Sequence, residues 1–202
     1  RKPDRRPRVV LYGESLGAQT SQGAFVGGGT EVLQELGIDR GLWAGTPYAG
    51  KWRRELFAGG PNVDDSLFAR FATIDEYRSL PHGDRSALRF FFLDHHEDPV
   101  TRFGPDLAYR QPSWLGPADR RPPNVSRTQQ WVPAVTFWQT AIDTKNAATV
   151  IPGAFDALGH DYRADLAQFV SAAFDLKDVT SEQMASIEAR LRRSEVERAE
   201  KI

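Results

Sequence analysis

The stretch Val9-Val10-Leu11-Tyr12-Gly13-Glu14-Ser15-Leu16-Gly17-Ala18 decides how the rest of the chain is read. An apolar, partly β-branched run ends in Gly-x-Ser-x-Gly and passes directly into small, helix-compatible residues, a pattern that predicts strand, sharp turn and helix with a serine at the apex. A turn this tight holds Ser15 in a strained backbone conformation with its hydroxyl thrust outward. Gly13 and Gly17 are expected to be required, because side chains there would strike the neighbouring strand and helix. Such a serine is a candidate nucleophile. The pentapeptide alone is a weak signal, and its position at the end of an apolar strand gives it weight.

At 202 residues the chain is long enough for one domain with a substantial core. A net charge of -1 shows no basic excess, so nucleic acid is not an expected partner. The absence of cysteine excludes disulfides, thiolate metal sites and a cysteine nucleophile. No uninterrupted apolar run approaches the length of a bilayer span, and the basic lead Arg1-Lys2-Pro3-Asp4-Arg5-Arg6-Pro7 has no signal-type core behind it. The first residue is not methionine, and the chain is expected to be a piece of something longer.

Outward from Ser15, a helix is expected to about Phe25, ended by Gly27-Gly28-Gly29, and then a short helix from Glu31 to Leu36, capped by Thr30 and closed by Gly37. Gly41-Leu42-Trp43-Ala44-Gly45 reads as a short buried strand with an exit loop, Thr46 to Trp52, on the same edge as Ser15. Residues 61–86 read as connection, with a helical stretch from Ser66 to Phe71. Leu88-Arg89-Phe90-Phe91-Phe92-Leu93 is nearly continuous in apolar residues, as expected of a parallel strand covered on both faces, and it empties into Asp94-His95-His96-Glu97-Asp98-Pro99. Ligands bind at that carboxyl edge in open α/β sheets.

From Gly104 to Arg127 the composition shifts to proline, arginine and scattered aromatics, predicting an extended excursion held down by Trp114 and Leu115, of the kind that forms lids or partner surfaces. Trp131, Val135, Trp138 and Ile142 recur at helical spacing and are read as one buried helix face. Ala148 to Pro152 reads as a short strand. Tyr162, Leu166, Phe169, Val170, Ala173 and Phe174 trace an amphipathic helix with Asp161 as its cap. Residues 1–175 are taken as the catalytic domain. Residues 176–202 are taken as a charged C-terminal helix or tail, started by a capping box at Thr180 to Gln183.

The alternation of strands and helices implies an α/β fold, a mostly parallel, doubly wound sheet. It carries a serine on an elbow, an acid cluster at the end of a later strand and a histidine in a loop before the last apolar helix. Serine hydrolysis needs those three: an imidazole takes the Ser15 proton, and a carboxylate fixes its tautomer. Serine, acid, histidine is the chain order of the α/β-hydrolase fold. Among the four histidines, His82 lies in a surface-type turn and His95 and His96 adjoin the acid cluster. His160 is favoured as base because Gly159 permits close approach and an expected helix start there favours the neutral ring. Asp98 is favoured over Asp94 and Glu97 as the acid, since it lies beyond the strand end in a turn that Pro99 helps define. Tyr48, Trp52 and Trp114 are candidate walls of an apolar acyl pocket, and Trp43 fits either that pocket or the core. No metal and no cofactor are called for.

The motifs Tyr12-Gly-Glu-Ser-Leu-Gly-Ala18, Leu42-Trp-Ala-Gly-Thr-Pro47, Leu93-Asp-His-His-Glu-Asp-Pro-Val100, Val132-Pro-Ala-Val-Thr-Phe-Trp-Gln139 and Gly159-His160, in this order, resemble the soluble domain of actinobacterial α/β-hydrolase-family membrane proteins. The resemblance covers roughly residues 8 to 175. It implies Ser15 as nucleophile, Asp98 as acid and His160 as base, in a domain that follows several membrane-spanning helices, so that the parent protein is membrane-tethered and its substrates are lipid or envelope esters.

An oxyanion hole in this fold uses the backbone N–H after the nucleophile, here that of Leu16, and another from a loop after an earlier strand. The chain is therefore expected to hold only the later half of the full sheet, with an upstream segment or a second chain completing sheet and site. The expected function is hydrolysis of a carboxylic ester or thioester, with a small acyl-ester or lipid substrate. The rivals are acyl transfer to another acceptor and a catalytically silent scaffold serving as an interaction domain.

Overall fold

The computed structural model describes residues 6–60, 62–122, 124–147, 155 and 158–201. Its frame is a sheet of four strands, β1 (Val10–Glu14), β2 (Arg40–Ala44), β3 (Phe68–Phe71) and β4 (Phe90–Leu93), in the order β1-β2-β4-β3. All pairings are parallel: Val10 to Glu14 run beside Arg40 to Ala44, Gly41 to Ala44 beside Phe90 to Leu93, and Phe68 to Phe71 beside Phe90 to Leu93. Every strand therefore ends on one rim, which brings Glu14, Ala44 and Leu93 side by side although they lie far apart along the chain.

Helices α1 (Leu16–Gly23), α2 (Glu31–Glu35) and α3 (Lys51–Phe57) precede β3; α4 (Ile74–Ser79) and α5 (His82–Ala87) precede β4. After β4 come α6 (Pro99–Arg102), α7 (Val135–Asn146), α8 (Leu166–Ala173) and α9 (Ser181–Ala199). One face of the sheet packs Trp43, Phe90 and Phe92 against Ala18 of α1, Leu33 of α2 and Trp52 and Leu56 of α3. The other packs Leu42, Phe91 and Leu93 against Ile74 of α4 and Phe169 and Ala173 of α8. This two-sided burial is why β4 is apolar at every position, and the doubly wound α/β fold follows from it. Trp43, Trp52 and Phe92 lock the first face, with ring centroids 5.2 Å apart for Trp43 and Phe92 and 5.3 Å for Trp43 and Trp52.

Several expectations are corrected. Ser66 to Phe71 is not an α-helix: a 3-10 turn at Asp65–Leu67 leads into edge strand β3, where Phe68 and Phe71 are buried on opposite faces of the sheet and Arg70 is exposed. Thr30 makes no cap bond to α2; its hydroxyl donates to Asn62 O and accepts from Asp64 N–H instead. Asp161 does not cap the last apolar helix, which starts only at Leu166, and Tyr162 lies ahead of it in the loop. The expected buried face of the helix after Trp131 is reversed. Val135, Trp138 and Ile142 of α7 are exposed, while Thr136 and Thr140 face inward. Those threonines are satisfied locally: Thr140 Oγ1 donates to Thr136 O at 2.8 Å, and Thr136 Oγ1 accepts from the N–H of Val132, ahead of the helix, at 2.9 Å. Trp131 lies ahead of α7 and donates its indole N–H to Leu107 O.

The expected strand at residues 148–152 lies outside the described residues. The capping box at the start of α9 is present, with Thr180 and Gln183 each bonding the other's backbone N–H. The helix rests on the loop before α8 and on α8 itself, through Arg163–Glu195 at 3.2 Å and Gln168–Glu188 at 2.9 Å.

Candidate active site

Ser15 occupies the step between β1 and α1 with φ 51° and ψ -119°, a conformation that an L-residue adopts only when its surroundings force it. The surroundings are specific. Ser15 N–H donates to Ala44 O at 2.9 Å, tying the turn to the end of β2, and Ser15 O accepts from Gln19 N–H at 3.1 Å. A Cβ on Gly13 would lie 2.8 Å from the Ala18 Cα, so α1 can turn back over β1 only if residue 13 is glycine. At Gly17 a Cβ would meet nothing within 4 Å, so packing does not require glycine there. β1 also runs further than its apolar residues imply, through Gly13 and Glu14 to the apex.

At the end of β4 the chain turns through Asp94 to Glu97 and Asp98 becomes the N-cap of α6, its Oδ1 accepting from Val100 N–H at 2.8 Å. Its other oxygen is aimed at the site. Asp98 Oδ2 accepts from His160 Nδ1 at 2.8 Å and from the Tyr162 hydroxyl at 2.5 Å, and the residue is completely buried. The far side of the same imidazole, Nε2, lies 2.9 Å from Ser15 Oγ. With Nδ1–H given to the carboxylate, Nε2 keeps its lone pair for the serine proton. Serine, histidine and aspartate thus form one hydrogen-bonded chain across residues 15, 160 and 98.

A family model described as alpha/beta-hydrolase family matches residues 1–187. The chain belongs to the alpha/beta-hydrolase family. No curated protein and no solved structure gives a match. The family match reaches past residue 175 into α9.

In this member of the family, several residues that the sequence reading passed over hold the histidine loop. Burial, followed by the charge of Asp98, pushes the Tyr162 phenol well above its ordinary range, so it remains a protonated donor to that carboxylate. Gly159 is pinned at both ends: its N–H donates to Glu97 Oε1 at 3.1 Å and its carbonyl accepts from His95 Nδ1 at 2.9 Å. Glu97 and His95, weighed as triad members, instead fix the backbone directly before His160. This clamp, and not a helix start, holds His160, since α8 begins only at Leu166. Gly45, at φ 61°, is the clearing into which the ring fits; a Cβ there would lie 2.6 Å from both His160 Cε1 and Tyr162 Cε2. Tyr162 was legible only as an apolar helix position, and Gly45 only as a strand end.

The remaining histidines are placed elsewhere. His96 bonds Glu76 Oε1 at 3.0 Å, and His82 is exposed at the start of α5. Asp94 is buried and paired with Arg53 at 2.5 Å. As first residue of α1, Leu16 has a backbone N–H without a partner inside the helix, beside the serine, and its side chain is exposed. Of the candidate pocket residues, Trp52 is corrected to the core: it is fully buried and donates its indole N–H to Gly29 O at 2.9 Å. Trp43 is likewise fully buried there. Tyr48 and Trp114 do line a cavity, but one rich in arginine rather than an apolar acyl pocket. Among the described residues no group of three or more metal-ligating side chains is gathered, and no helix is long and apolar enough to cross a membrane.

Proposed function

We propose that the chain is a serine hydrolase that cleaves a carboxylic ester or thioester through an acyl-enzyme. The observation that carries this reading is the His160 ring, held 2.8 Å from the buried Asp98 carboxylate on one side and 2.9 Å from Ser15 Oγ on the other. His160 Nε2 takes the serine proton as Oγ attacks the acyl carbonyl carbon, and Asp98 stabilises the imidazolium that forms. The Leu16 N–H faces the developing oxyanion. The imidazolium then gives its proton to the departing alcohol or thiol, and water repeats the sequence on the acyl-serine to release the acid.

Completion of the oxyanion hole and sheet by a further strand along β1, from an upstream segment or a second chain, belongs to the same reading. Its support is that β1 ends the four-stranded sheet with Val10 and Tyr12 exposed. Lipid-like esters and a membrane-tethered parent are carried over from the motif resemblance. The outward apolar residues of α7, Val135, Trp138 and Ile142, agree with an apolar neighbour.

A fluorophosphonate probe tests the central claim. The folded protein is expected to label at one serine, with labelling abolished by Ser15→Ala and by His160→Ala. A well-folded chain that does not label, alone or with its β1 edge completed, refutes the hydrolase reading in favour of the silent scaffold.

A further inference from the structure

A second cavity lies beside the residues that clamp the histidine loop, with His95 in its wall. It is a cavity of about 630 Å³ whose wall includes neither Ser15 nor His160. That volume is of the size that small organic ligands occupy. Six arginines line it, Arg53, Arg54, Arg70, Arg102, Arg120 and Arg121, against two carboxylates, Asp94 and Asp106. Both carboxylates are engaged: Asp94 by Arg53, and Asp106 by the Tyr48 hydroxyl at 2.8 Å. Arg121 is spent on the backbone carbonyls of Gly116, Ser126, Arg127 and Gln129. Among the described residues, Arg54, Arg70, Arg102 and Arg120 have no carboxylate within ion-pair distance.

This is an electrostatically costly arrangement. Arg102 is half-buried over the Trp114 ring, 4.8 Å from guanidinium carbon to ring centre. Burial is the main influence drawing its guanidinium down to about 10; the carboxylates of Glu97 and Asp98 oppose that shift, and the like charge of Arg70 adds to it. Guanidinium forks with no carboxylate in ion-pair contact match the oxygens of a multiply charged oxyanion, which they bind through paired N–H donors. The cavity is too large for a bare ion, and its other wall is carbon, from Trp114, Leu107, Pro112 and Pro122.

From this geometry we infer that the arginine-lined cavity binds a phosphate monoester on a small carbon skeleton, its phosphoryl oxygens on Arg54, Arg70, Arg102 and Arg120 and its body against Trp114. The loop from Gly104 to Arg121, which the sequence marks as an excursion, is the wall that makes the site. The ester is either a free small molecule or the headgroup of a phospholipid. Binding does not depend on the hydrolase reading, and a Ser15→Ala chain is expected to bind as the parent chain does.

The test is calorimetric titration of the full chain with sn-glycerol 3-phosphate. A parallel flotation assay uses phosphatidylcholine vesicles with and without phosphatidic acid. Saturable heat with glycerol 3-phosphate, displaced by inorganic phosphate, assigns the free ester; flotation that requires phosphatidic acid, without such heat, assigns the headgroup. In either case Arg70→Gln and Arg102→Gln are each expected to weaken binding about tenfold or more. Arg193→Gln, exposed on α9, is expected to leave it unchanged. Arg70 is itself exposed, so its variant is expected to keep the parent's circular dichroism and melting temperature, which separates lost binding from lost fold. The inference is overturned if neither probe binds, or if Arg193→Gln weakens binding as much as the cavity variants do.

Discussion

Two strands of one sheet, β4 and β1, live under opposite conditions. Phe90, Phe91, Phe92 and Leu93 of β4 are all nearly inaccessible, packed on both faces and paired on both edges. In β1, Val10 is 39 % exposed and Tyr12 45 % exposed, and only one edge is paired within the sheet. Each strand nevertheless delivers one member of the same Ser15–His160–Asp98 hydrogen-bonded chain to the rim, Asp98 beyond β4 and Ser15 at the tip of β1. On the proposed hydrolase reading, the buried strand supplies the group that is held still and shielded, and the open strand supplies the group that meets substrate. Stability and reactivity are thereby separated across about two strand spacings, roughly 10 Å.

The largest effect should come from the buried end. Asp98→Asn removes the acceptor that sets the His160 tautomer, and hydrolysis of an activated ester such as p-nitrophenyl acetate is expected to fall by about 10⁴-fold in kcat. A loss of only a few-fold would mean that the buried strand does not serve the open one. Phe92→Ala empties a fully buried position between Trp43 and Trp52 and is expected to cost about 3–5 kcal/mol in denaturant unfolding.

Tyr162→Phe keeps the ring in place and deletes one of the three hydrogen bonds to Asp98. Activity is expected to fall by about tenfold, in line with the 1.5–3 kcal/mol typical of a hydrogen bond to a charged group and with His160 Nδ1 and Val100 N–H still holding the carboxylate. The smallest effect should come from Val10→Lys, which is expected to change the stability of this chain by no more than about 0.5 kcal/mol, as at other exposed positions. A cost of several kcal/mol would show that β1 is covered, and would put the two strands in like environments.

Much of this was legible in the sequence, for reasons that can be named. The elbow announces itself because Gly-x-Ser-x-Gly at a strand end satisfies steric demands that few other sequences meet, and Gly13 does lie hard against Ala18. β4 is legible because two-sided burial leaves no room for a polar residue. His160 and Asp98 were reachable from chain order and loop position, although one reason offered for His160, a helix start, is not what holds it.

What misled was periodicity without packing. Val135, Trp138 and Ile142 share a helix face, and spacing alone does not say whether that face turns to the core or away from it; α6 and the turn at residues 105–108 take up the threonine side. Phe68 to Phe71 is short and buries one residue on each face of the sheet, so it carries no alternation to set against the helix-compatible residues before it. The grouping of Arg53, Arg70, Arg102 and Arg121 left no trace in the linear order, since they come from four separate segments.

By itself the order of amino acids determined the local events: the strained serine turn, the strand buried on both faces, and the proline-broken excursion, each of which depends on side chains only a few positions apart. Tertiary structure alone decided which groups meet. His160 reaches Ser15 across 145 positions because parallel strands end on one rim, and it is oriented there by Asp98, by Tyr162 and by the space left over Gly45. Hydrogen bonds and charge operate over a few ångströms of space rather than along the chain, so neither the clamp on the histidine nor the concentration of guanidinium groups exists until the sheet has closed the distance.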